Sequence, residues 1–120
     1  MVQDKIKGVG VALITPFKSY EVDYDALGRM VDYVIEGGVD YIVALGSTAE
    51  TATMSLEERD KVLRFIVERT AGRVAIVAGM GSNDTKALVD QLRTFDLSDT
   101  VAILSVVPFY NKPSQEGIYQ

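Results

Sequence analysis

Short runs of apolar, mostly β-branched residues alternate along the chain with longer segments in which apolar residues recur every three or four positions. The short runs predict four strands, at residues 8–14, 41–45, 73–78 and 101–107. Their nearly continuous apolar character is typical of parallel strands that are covered on both faces. Strands that alternate with helices in this order indicate right-handed βαβ units around a parallel sheet.

Three helices and the start of a fourth are predicted between and after these strands. The first two begin after Asp23 and Ser55, whose side-chain oxygens can accept a hydrogen bond from the first helical turn. The third is expected to start at about Asp84 and the fourth near Ser114. Ser55 has the strongest signal, because Glu58 follows it in a capping box. Glycines predict the ends of the first two helices, at Gly37–Gly38 and at Gly72. The apolar stripes expected to face the core are Leu27, Met30, Val31, Val34 and Ile35, then Leu56, Val62, Leu63, Phe65, Ile66 and Val67, then Leu88, Val89, Leu92 and Phe95.

Four parallel strands in this order fit either half of an eight-stranded barrel or the start of an open, doubly wound sheet. An open nucleotide-binding sheet would carry a glycine-rich turn after its first strand, and residues 15–18 (TPFK) lack one. Residues 79–83 (GMGSN) contain two glycines without the third of the dinucleotide fingerprint. We therefore interpret Gly79 and Gly81 as positions where a side chain would be crowded at the end of the third strand.

Composition and charge exclude several classes of function. The chain has 48% hydrophobic and 24% charged residues, a balance typical of globular proteins, and no apolar run long enough for a membrane span. The net charge of −5 argues against nucleic acid as a partner. With no cysteine and no histidine, the chain has no thiolate nucleophile, no Cys/His zinc cluster and no Ser-His-Asp triad. No long apolar run follows Met1, so we expect a cytoplasmic protein.

Hydroxyl groups follow two of the predicted strands at the point where each strand ends. Ser47 and Thr48 come after the strand at 41–45, and Tyr110 comes after the strand at 101–107. Because the carboxyl ends of parallel strands lie at one edge of a sheet, these residues predict a substrate pocket there. By themselves, a Ser-Thr pair also fits a simple turn or helix cap, and a lone tyrosine also fits a packed aromatic.

Four segments together carry a family resemblance. They are residues 10–17 (GVALITPF), 46–50 (GSTAE), 79–85 (GMGSNDT) and 108–120 (PFYNKPSQEGIYQ). In this order and spacing they resemble the amino-terminal half of the pyruvate-dependent class I aldolases, the family of dihydrodipicolinate synthases and N-acetylneuraminate lyases. The last segment favours the synthase branch. The resemblance implies that residues 1–120 form one partial TIM-barrel domain: an α/β fold, the amino-terminal half of a (β/α)8 barrel.

The resemblance also implies an activity. In this family a lysine after a later strand forms a Schiff base with pyruvate, and the enamine attacks L-aspartate 4-semialdehyde in the diaminopimelate and lysine biosynthesis pathway. Ser47 corresponds to a hydroxyl of the catalytic proton relay and contacts substrate. Thr48 corresponds to the residue that holds the pyruvate carboxylate together with backbone N–H groups of the turn. Tyr110 corresponds to a relay tyrosine that crosses the interface of a homodimer, or of a dimer of dimers. Neither cofactor nor metal, and neither nucleic acid nor membrane, is expected as a partner.

The chemistry of the relay explains these residue types. Phenols and aliphatic hydroxyls are poor acids and bases alone, but in a hydrogen-bonded chain they can transfer protons without a histidine. Backbone N–H groups that the scaffold has already fixed in a turn bind a carboxylate at little ordering cost. Glu50, at the end of the turn, is expected to have a structural role by bonding backbone around the site.

The family's Schiff-base lysine and second relay tyrosine lie beyond Gln120, so the 120 residues alone are expected to be inactive. Lys112 is in a solvated Asn-Lys-Pro loop, which does not activate an amine as a nucleophile. Lysine-inhibited members bind the inhibitor near Asn83 with an acidic side chain and a tyrosine. Ala87 and Phe109 occupy those two places here, which argues against feedback inhibition by lysine.

Two alternative functions stay open. The first is another pyruvate-dependent aldolase, such as N-acetylneuraminate lyase or a sugar-acid aldolase, which differs in the substrate that is turned over. The second is a non-catalytic assembly module, in which the open edges of a half-barrel are buried by self-association or by a complementary half.

Overall fold

Helices and strands alternate along most of the chain in the computed structural model, which describes residues 1–110 and 112–120. In chain order the elements are α1 (Val2–Lys5), β1 (Gly10–Ala12), β2 (Phe17–Lys18), β3 (Glu21–Val22), α2 (Tyr24–Glu36), β4 (Tyr41–Ala44), the 3₁₀ turns Ser47–Ala49 and Thr51–Thr53, α3 (Leu56–Thr70), β5 (Ala75–Gly79), α4 (Thr85–Thr94), β6 (Ala102–Leu104) and α5 (Gln115–Tyr119).

The main sheet contains four parallel strands in the order β1-β4-β5-β6. Its register pairs Ile42 of β4 with Val11 of β1 and with Ile76 of β5, and pairs Val77 of β5 with Ala102 of β6. The spatial order of these four strands is the same as their order along the chain. The sheet therefore lacks the reversal of strand order that creates a switch point in a doubly wound sheet. This order agrees with the first half of a barrel.

The two predicted caps, Asp23 and Ser55, accept hydrogen bonds from their helices, and so do Asp84 and Ser114, near which the later two helices were predicted to start. Asp23 accepts from the N–H of Ala26 at 2.9 Å and Asp84 from that of Ala87 at 3.1 Å. Ser55 and Glu58 form the predicted capping box, with bonds of 3.1 and 2.8 Å. Ser114 caps α5 in the same way, accepting from Gly117 at 3.2 Å. The helix starts are therefore confirmed.

One core lies between the sheet and the helices, and the most buried side chains come from α2, α3, β4 and β5. They include Leu27, Val31, Ile42, Val62, Leu63, Ile66, Ile76 and Met80. The predicted stripes supply most of these residues. Two members of the stripes are exposed. Val89 lies about 100° around α4 from Leu88, away from the face that Leu88, Leu92 and Phe95 turn to the core. Nothing in the described structure covers Leu56, at the start of α3.

The strands are shorter than predicted, most clearly at the end of the sheet. The fourth strand was predicted to run to residue 107, but β6 ends at Leu104. Its last backbone bond toward β5 joins the N–H of Met80 to the carbonyl of Leu104 at 2.9 Å. β5 itself ends at Gly79, and an apolar run without a neighbouring strand forms no ladder.

A small antiparallel hairpin, β2–β3, was not predicted. Its turn consists of Ser19 and Tyr20, both with positive φ (51° and 68°). Hairpins of this kind are usually recognised from Asn-Gly or Asp-Gly at these two positions, and this chain carries neither pair there. The first predicted strand accordingly stops at Ala12, well before the hairpin.

An ionic cluster joins α2 to the end of α3. The carboxylate of Asp32 accepts hydrogen bonds from Arg69 and, at 2.7 Å, from Arg73. Arg73 also donates to the carbonyl oxygens of Thr70 and Arg69. The bonds from Arg69 and then from Arg73 lower the pKa of Asp32 from its ordinary value of 3.8 to about 2. The cluster therefore stabilises the fold in the ionised form of Asp32.

We expect Asp32→Asn to lower the melting temperature at pH 7, and the deficit relative to wild type to shrink in acid. Because the folded-state pKa of Asp32 lies below the unfolded one, its contribution is complete above about pH 4 and is lost as the pH falls toward about 2. Thermal unfolding of both proteins from pH 7 to pH 2 measures this. Asp90→Asn in α4 is the control, since Asp90 has no ion pair with another described residue. A deficit that is independent of pH would contradict the prediction.

Candidate active site at the carboxyl ends of the strands

A cavity of about 660 Å³ opens where β4, β5 and β6 end. Its walls come from the turn after β4, the first turns of α3, the end of β5 and the segment after β6. They include Ser47, Glu50, Arg59, Met80, Val106 and Phe109. The carboxyl ends of parallel strands are where α/β barrels and open sheets place their ligand sites. The cavity therefore lies where the sequence predicts a substrate pocket.

The turn after β4 is held in a fixed shape by its backbone. Leu45 is buried and has a positive φ of 59°, and Gly46 is extended, with φ −71° and ψ 179°. The 3₁₀ turn Ser47–Ala49 follows, with the N–H of Ala49 bonded to the carbonyl of Gly46 at 3.0 Å. Ala49 itself is buried, so it anchors the turn to the core. Ser47 and Thr48 are left at the surface of the turn.

Two backbone donors of this turn are open. The N–H groups of Ser47 and Thr48 donate to no other residue within the described ranges, as is usual for the first residues of a helical turn. Both side chains are exposed, and Ser47 lines the cavity whereas Thr48 lies beside it. The turn can thus offer N–H and O–H groups to an anionic oxygen in the cavity.

Glycines allow the strand ends to approach each other. A Cβ atom on Gly79 would lie 2.7 Å from the backbone nitrogen of Gly46, and closer still to the carbonyl oxygen of Leu45. A Cβ atom on Gly81 would lie 2.6 Å from Cγ1 of Val106. The interpretation of both as sites of crowding is confirmed.

Tyr110 is on the same edge of the sheet but projects away from the described part of the chain. Its side chain is 84% exposed, and it does not line the cavity, whereas the preceding Phe109 does. Within the described residues, no hydrogen bond joins Tyr110 to Ser47. Asn111, the next residue of the predicted motif, lies outside the described residues. The roles predicted for Ser47, Thr48 and Tyr110 stay predictions at this point.

The side chain of Arg59 in the cavity wall was not predicted. Its Nη2 donates to the carbonyl of Thr51 at 2.6 Å, and its Nε is buried without a hydrogen-bond partner among the described residues. A signal was present in the sequence, because Arg59 interrupts the apolar stripe of α3 three and four positions before Val62 and Leu63.

The role predicted for Glu50 is not seen in the described structure. Its carboxylate lines the cavity and makes no bond to backbone there, while its own carbonyl accepts from the hydroxyl of Thr53 at 2.8 Å. Glu50 shapes the turn through its backbone instead, with φ 59° and ψ 36° between the two 3₁₀ turns. The prediction assigned Glu50 a side-chain hydrogen bond to backbone, whereas in the described structure its backbone conformation shapes the turn.

Asn83 was also missed as a structural contact. Its Oδ1 accepts a hydrogen bond from the N–H of Phe109 at 2.8 Å and so links the β5 end to the β6 end. Ala87, in α4, and Phe109 are both exposed.

Two further features of the described residues concern metal ions and membranes. Within residues 1–110 and 112–120, no group of three or more acidic side chains is placed to hold a metal ion. No helix of this part of the chain has the length and apolar character to cross a membrane.

Comparison with known proteins identifies the family. The model of the dihydrodipicolinate synthetase family matches residues 5–120. The chain belongs to this family. A 4-hydroxy-tetrahydrodipicolinate synthase from Phocaeicola vulgatus is 54% identical over 100% of this chain, and the match spans 41% of that protein. The chain therefore spans well under half the length of this relative.

Two solved structures of dihydrodipicolinate synthases superpose closely. The Acinetobacter baumannii enzyme, described as chloride-inhibited and complexed with pyruvate, is 39% identical, with a TM-score of 0.89 over 95% of this chain and 40% of that one. A structure described as the first monomeric variant is 35% identical, with a TM-score of 0.89 over 97% of this chain and 39% of that one. The predicted fold, the amino-terminal half of a (β/α)8 TIM barrel with three complete helices and the start of a fourth, is confirmed.

Proposed function

We propose that this chain contributes half of the active site of a lyase that condenses pyruvate with L-aspartate 4-semialdehyde in lysine biosynthesis. The observation that carries the proposal is the fixed turn after β4, with Ser47 in the wall of the cavity and Thr48 beside it, within a chain of the dihydrodipicolinate synthetase family. The name of the Phocaeicola vulgatus relative and the pyruvate complex of the Acinetobacter baumannii enzyme support it.

The turn after β4 would hold the pyruvate carboxylate. The open N–H groups of Ser47 and Thr48, with the hydroxyl of Thr48, provide donors on one side of a small anion. Because buried Ala49 and the bonds of the turn already fix these donors, little conformational entropy is lost when the carboxylate binds. The keto carbon of the bound pyruvate is then directed toward the cavity.

Pyruvate would be activated by a lysine outside this chain. The amine adds to the keto carbon and water leaves, which gives an imine. Loss of a proton from the methyl group gives an enamine, whose carbon forms the new bond to the aldehyde carbon of the semialdehyde. Each of these steps moves protons, and Ser47 and Tyr110 would move them as a hydroxyl relay.

Tyr110 does not line the cavity of its own chain, which supports a relay that is shared between subunits. Its side chain is 84% exposed among the described residues, so a second copy of the protein can contact it. We propose a homodimer, or a dimer of dimers, in which Tyr110 enters the site of the partner. A relative described as monomeric exists in the family, so assembly has to be measured for this protein. The cytoplasmic location stays a prediction, as does the absence of a cofactor and of nucleic acid and membrane partners.

The test uses two proteins. One is the 120-residue chain. The other, called the whole enzyme, joins these residues to the part of the Phocaeicola vulgatus synthase that follows the aligned region. The alignment with that synthase covers 100% of this chain. Each is treated with pyruvate and borohydride, and its intact mass is measured. We expect one reduced pyruvate on the whole enzyme and none on the 120 residues.

The outcomes separate the alternatives. Turnover of aspartate semialdehyde by the whole enzyme supports the synthase, whereas turnover of N-acetylneuraminate or a sugar acid would assign another aldolase. An adduct on the 120-residue chain would mean that one of its own lysines, such as Lys112, is the nucleophile. A whole enzyme without an adduct would overturn the proposal, and sedimentation of the 120 residues as a defined oligomer would then favour the assembly module.

A further inference from the structure

We propose that Asn83 is the positioning residue for Tyr110. The inference rests on the proposed relay role of Tyr110. It starts from a hydrogen bond between segments that are 26 residues apart, in which Asn83 Oδ1 accepts from the backbone N–H of Phe109 at 2.8 Å. Phe109 directly precedes Tyr110, so this bond fixes the backbone from which the phenol extends.

Neighbouring hydrogen bonds hold the backbone of Asn83 in place. The hydroxyl of Ser82 accepts from the N–H of Asp84 at 3.0 Å, and Asp84 caps α4 through the N–H of Ala87 at 3.1 Å. Asn83 lies between these two bonds. Its backbone is therefore tied to the start of a ten-residue helix, and only its side chain crosses to the segment after β6.

Among the described residues, the segment that carries Tyr110 is mostly exposed. β6 ends at Leu104, and Val106, Val107 and Phe109 are each more than half exposed. Within the described part of the chain, the bond to Asn83 is the one hydrogen bond made by the backbone of residues 106–110. The close approach of Gly81 to the side chain and backbone of Val106 involves no hydrogen bond and lies nearer to β6. Removing the Asn83 acceptor therefore frees the backbone next to Tyr110.

The kinetic consequence follows from which step uses Tyr110. The phenol would act in proton transfer, whereas pyruvate would bind to the turn of Ser47 and Thr48 after β4, to which Asn83 makes no hydrogen bond within the described residues. A displacement of about 1 Å in a catalytic group can cost about a hundredfold in rate. We expect Asn83→Ala in the whole enzyme to lower kcat about 10- to 100-fold, with KM for pyruvate nearly unchanged.

Three variants test this role. N83A removes the acceptor, while N83D keeps an oxygen that can accept from Phe109 and is expected to recover most of kcat. The matched control is D96A, which removes an exposed acceptor from the loop between α4 and β6, where Asp96 bonds the N–H and hydroxyl of Ser98 at 3.1 and 2.7 Å. That loop lies at the amino-terminal end of β6, away from the cavity, so kcat should not change.

A double variant distinguishes a role of Asn83 in positioning Tyr110 from a general structural effect. If Asn83 acts through Tyr110, N83A should cost little further kcat in a Tyr110→Phe background, whereas independent effects would multiply. Amide hydrogen exchange of Phe109, read by mass spectrometry of the whole enzyme, should speed up in N83A and return in N83D. If N83A does not fold, N83S replaces it.

Each result decides one point. A whole enzyme that does not condense its substrates would refute the proposed function, and exchange at Phe109 would still report whether Asn83 holds this backbone. An active enzyme in which N83A keeps full kcat, or in which the N83A and Tyr110→Phe losses multiply, would overturn the positioning role and leave the proposed function intact.

Discussion

Replacing Tyr110 with phenylalanine is expected to lower kcat of the whole enzyme about a hundredfold or more, with little change in KM for pyruvate. The substitution removes one hydroxyl and keeps the ring. Because the Tyr110 side chain is 84% exposed and its hydroxyl bonds to no other described residue, the fold should lose no measurable stability. A loss confined to kcat would therefore report chemistry rather than folding.

The measurement is the initial rate of condensation at saturating and at limiting pyruvate. Tyr119→Phe is the matched control, since Tyr119 is also a tyrosine in the carboxyl-terminal part of the chain and is 92% exposed. The same variants can be trapped with borohydride, where Tyr110→Phe should form the pyruvate imine more slowly. Full kcat in Tyr110→Phe would remove Tyr110 from the relay.

Mixing two inactive variants tests whether Tyr110 crosses between subunits. In a hybrid dimer of Ser47→Ala and Tyr110→Phe chains, one site would combine an intact Ser47 with an intact Tyr110 from the partner. We expect activity to reappear when the two variants are unfolded and refolded together. If Tyr110 served its own subunit, each site would keep one defect and no activity would return.

The fold could be predicted from local patterns because each pattern has a local physical cause. Ser55 and Glu58 specify the start of α3 through bonds within four residues, and the structure forms both. The length of β6 could not be predicted, since it depends on whether a neighbouring strand continues alongside it. The β2–β3 hairpin was missed because Ser19 and Tyr20 adopt a conformation that their residue types rarely favour.

The candidate site shows the same difference between features with a local cause and features that depend on distant parts of the chain. The place of Ser47 in the cavity wall could be predicted because a hydroxyl pair directly after an apolar run is visible in the local sequence. The bond from Phe109 to Asn83 joins residues far apart in the chain and exists only once β5 and β6 are side by side. Arg59 is an intermediate case. The sequence shows a charged residue on the apolar stripe of α3, but only the structure shows that this residue lines the cavity.

Gly79→Ala is expected to destabilise the protein by about 3 kcal/mol, at the upper end of the usual cost of overpacking. The added Cβ would meet the backbone nitrogen of Gly46 at 2.7 Å and the carbonyl of Leu45 at a shorter distance. These are main-chain atoms, so no rotamer change can relieve the clash. Leu45 already has a positive φ of 59°, which leaves its peptide little freedom to move aside.

Urea unfolding of Gly79→Ala measures the loss, with Gly46→Ala as the control. Gly46 is extended, with φ −71°, and a Cβ there would meet only Cγ1 of Val43 at 3.9 Å, so its cost should be below about 1 kcal/mol. Equal midpoints for the two variants would contradict the crowding argument. Because relief of the clash in Gly79→Ala must push the β4 turn outward, the molecules that still fold should also bind pyruvate more weakly. The same contact that brings the ends of β4 and β5 together therefore also places Ser47 at the cavity.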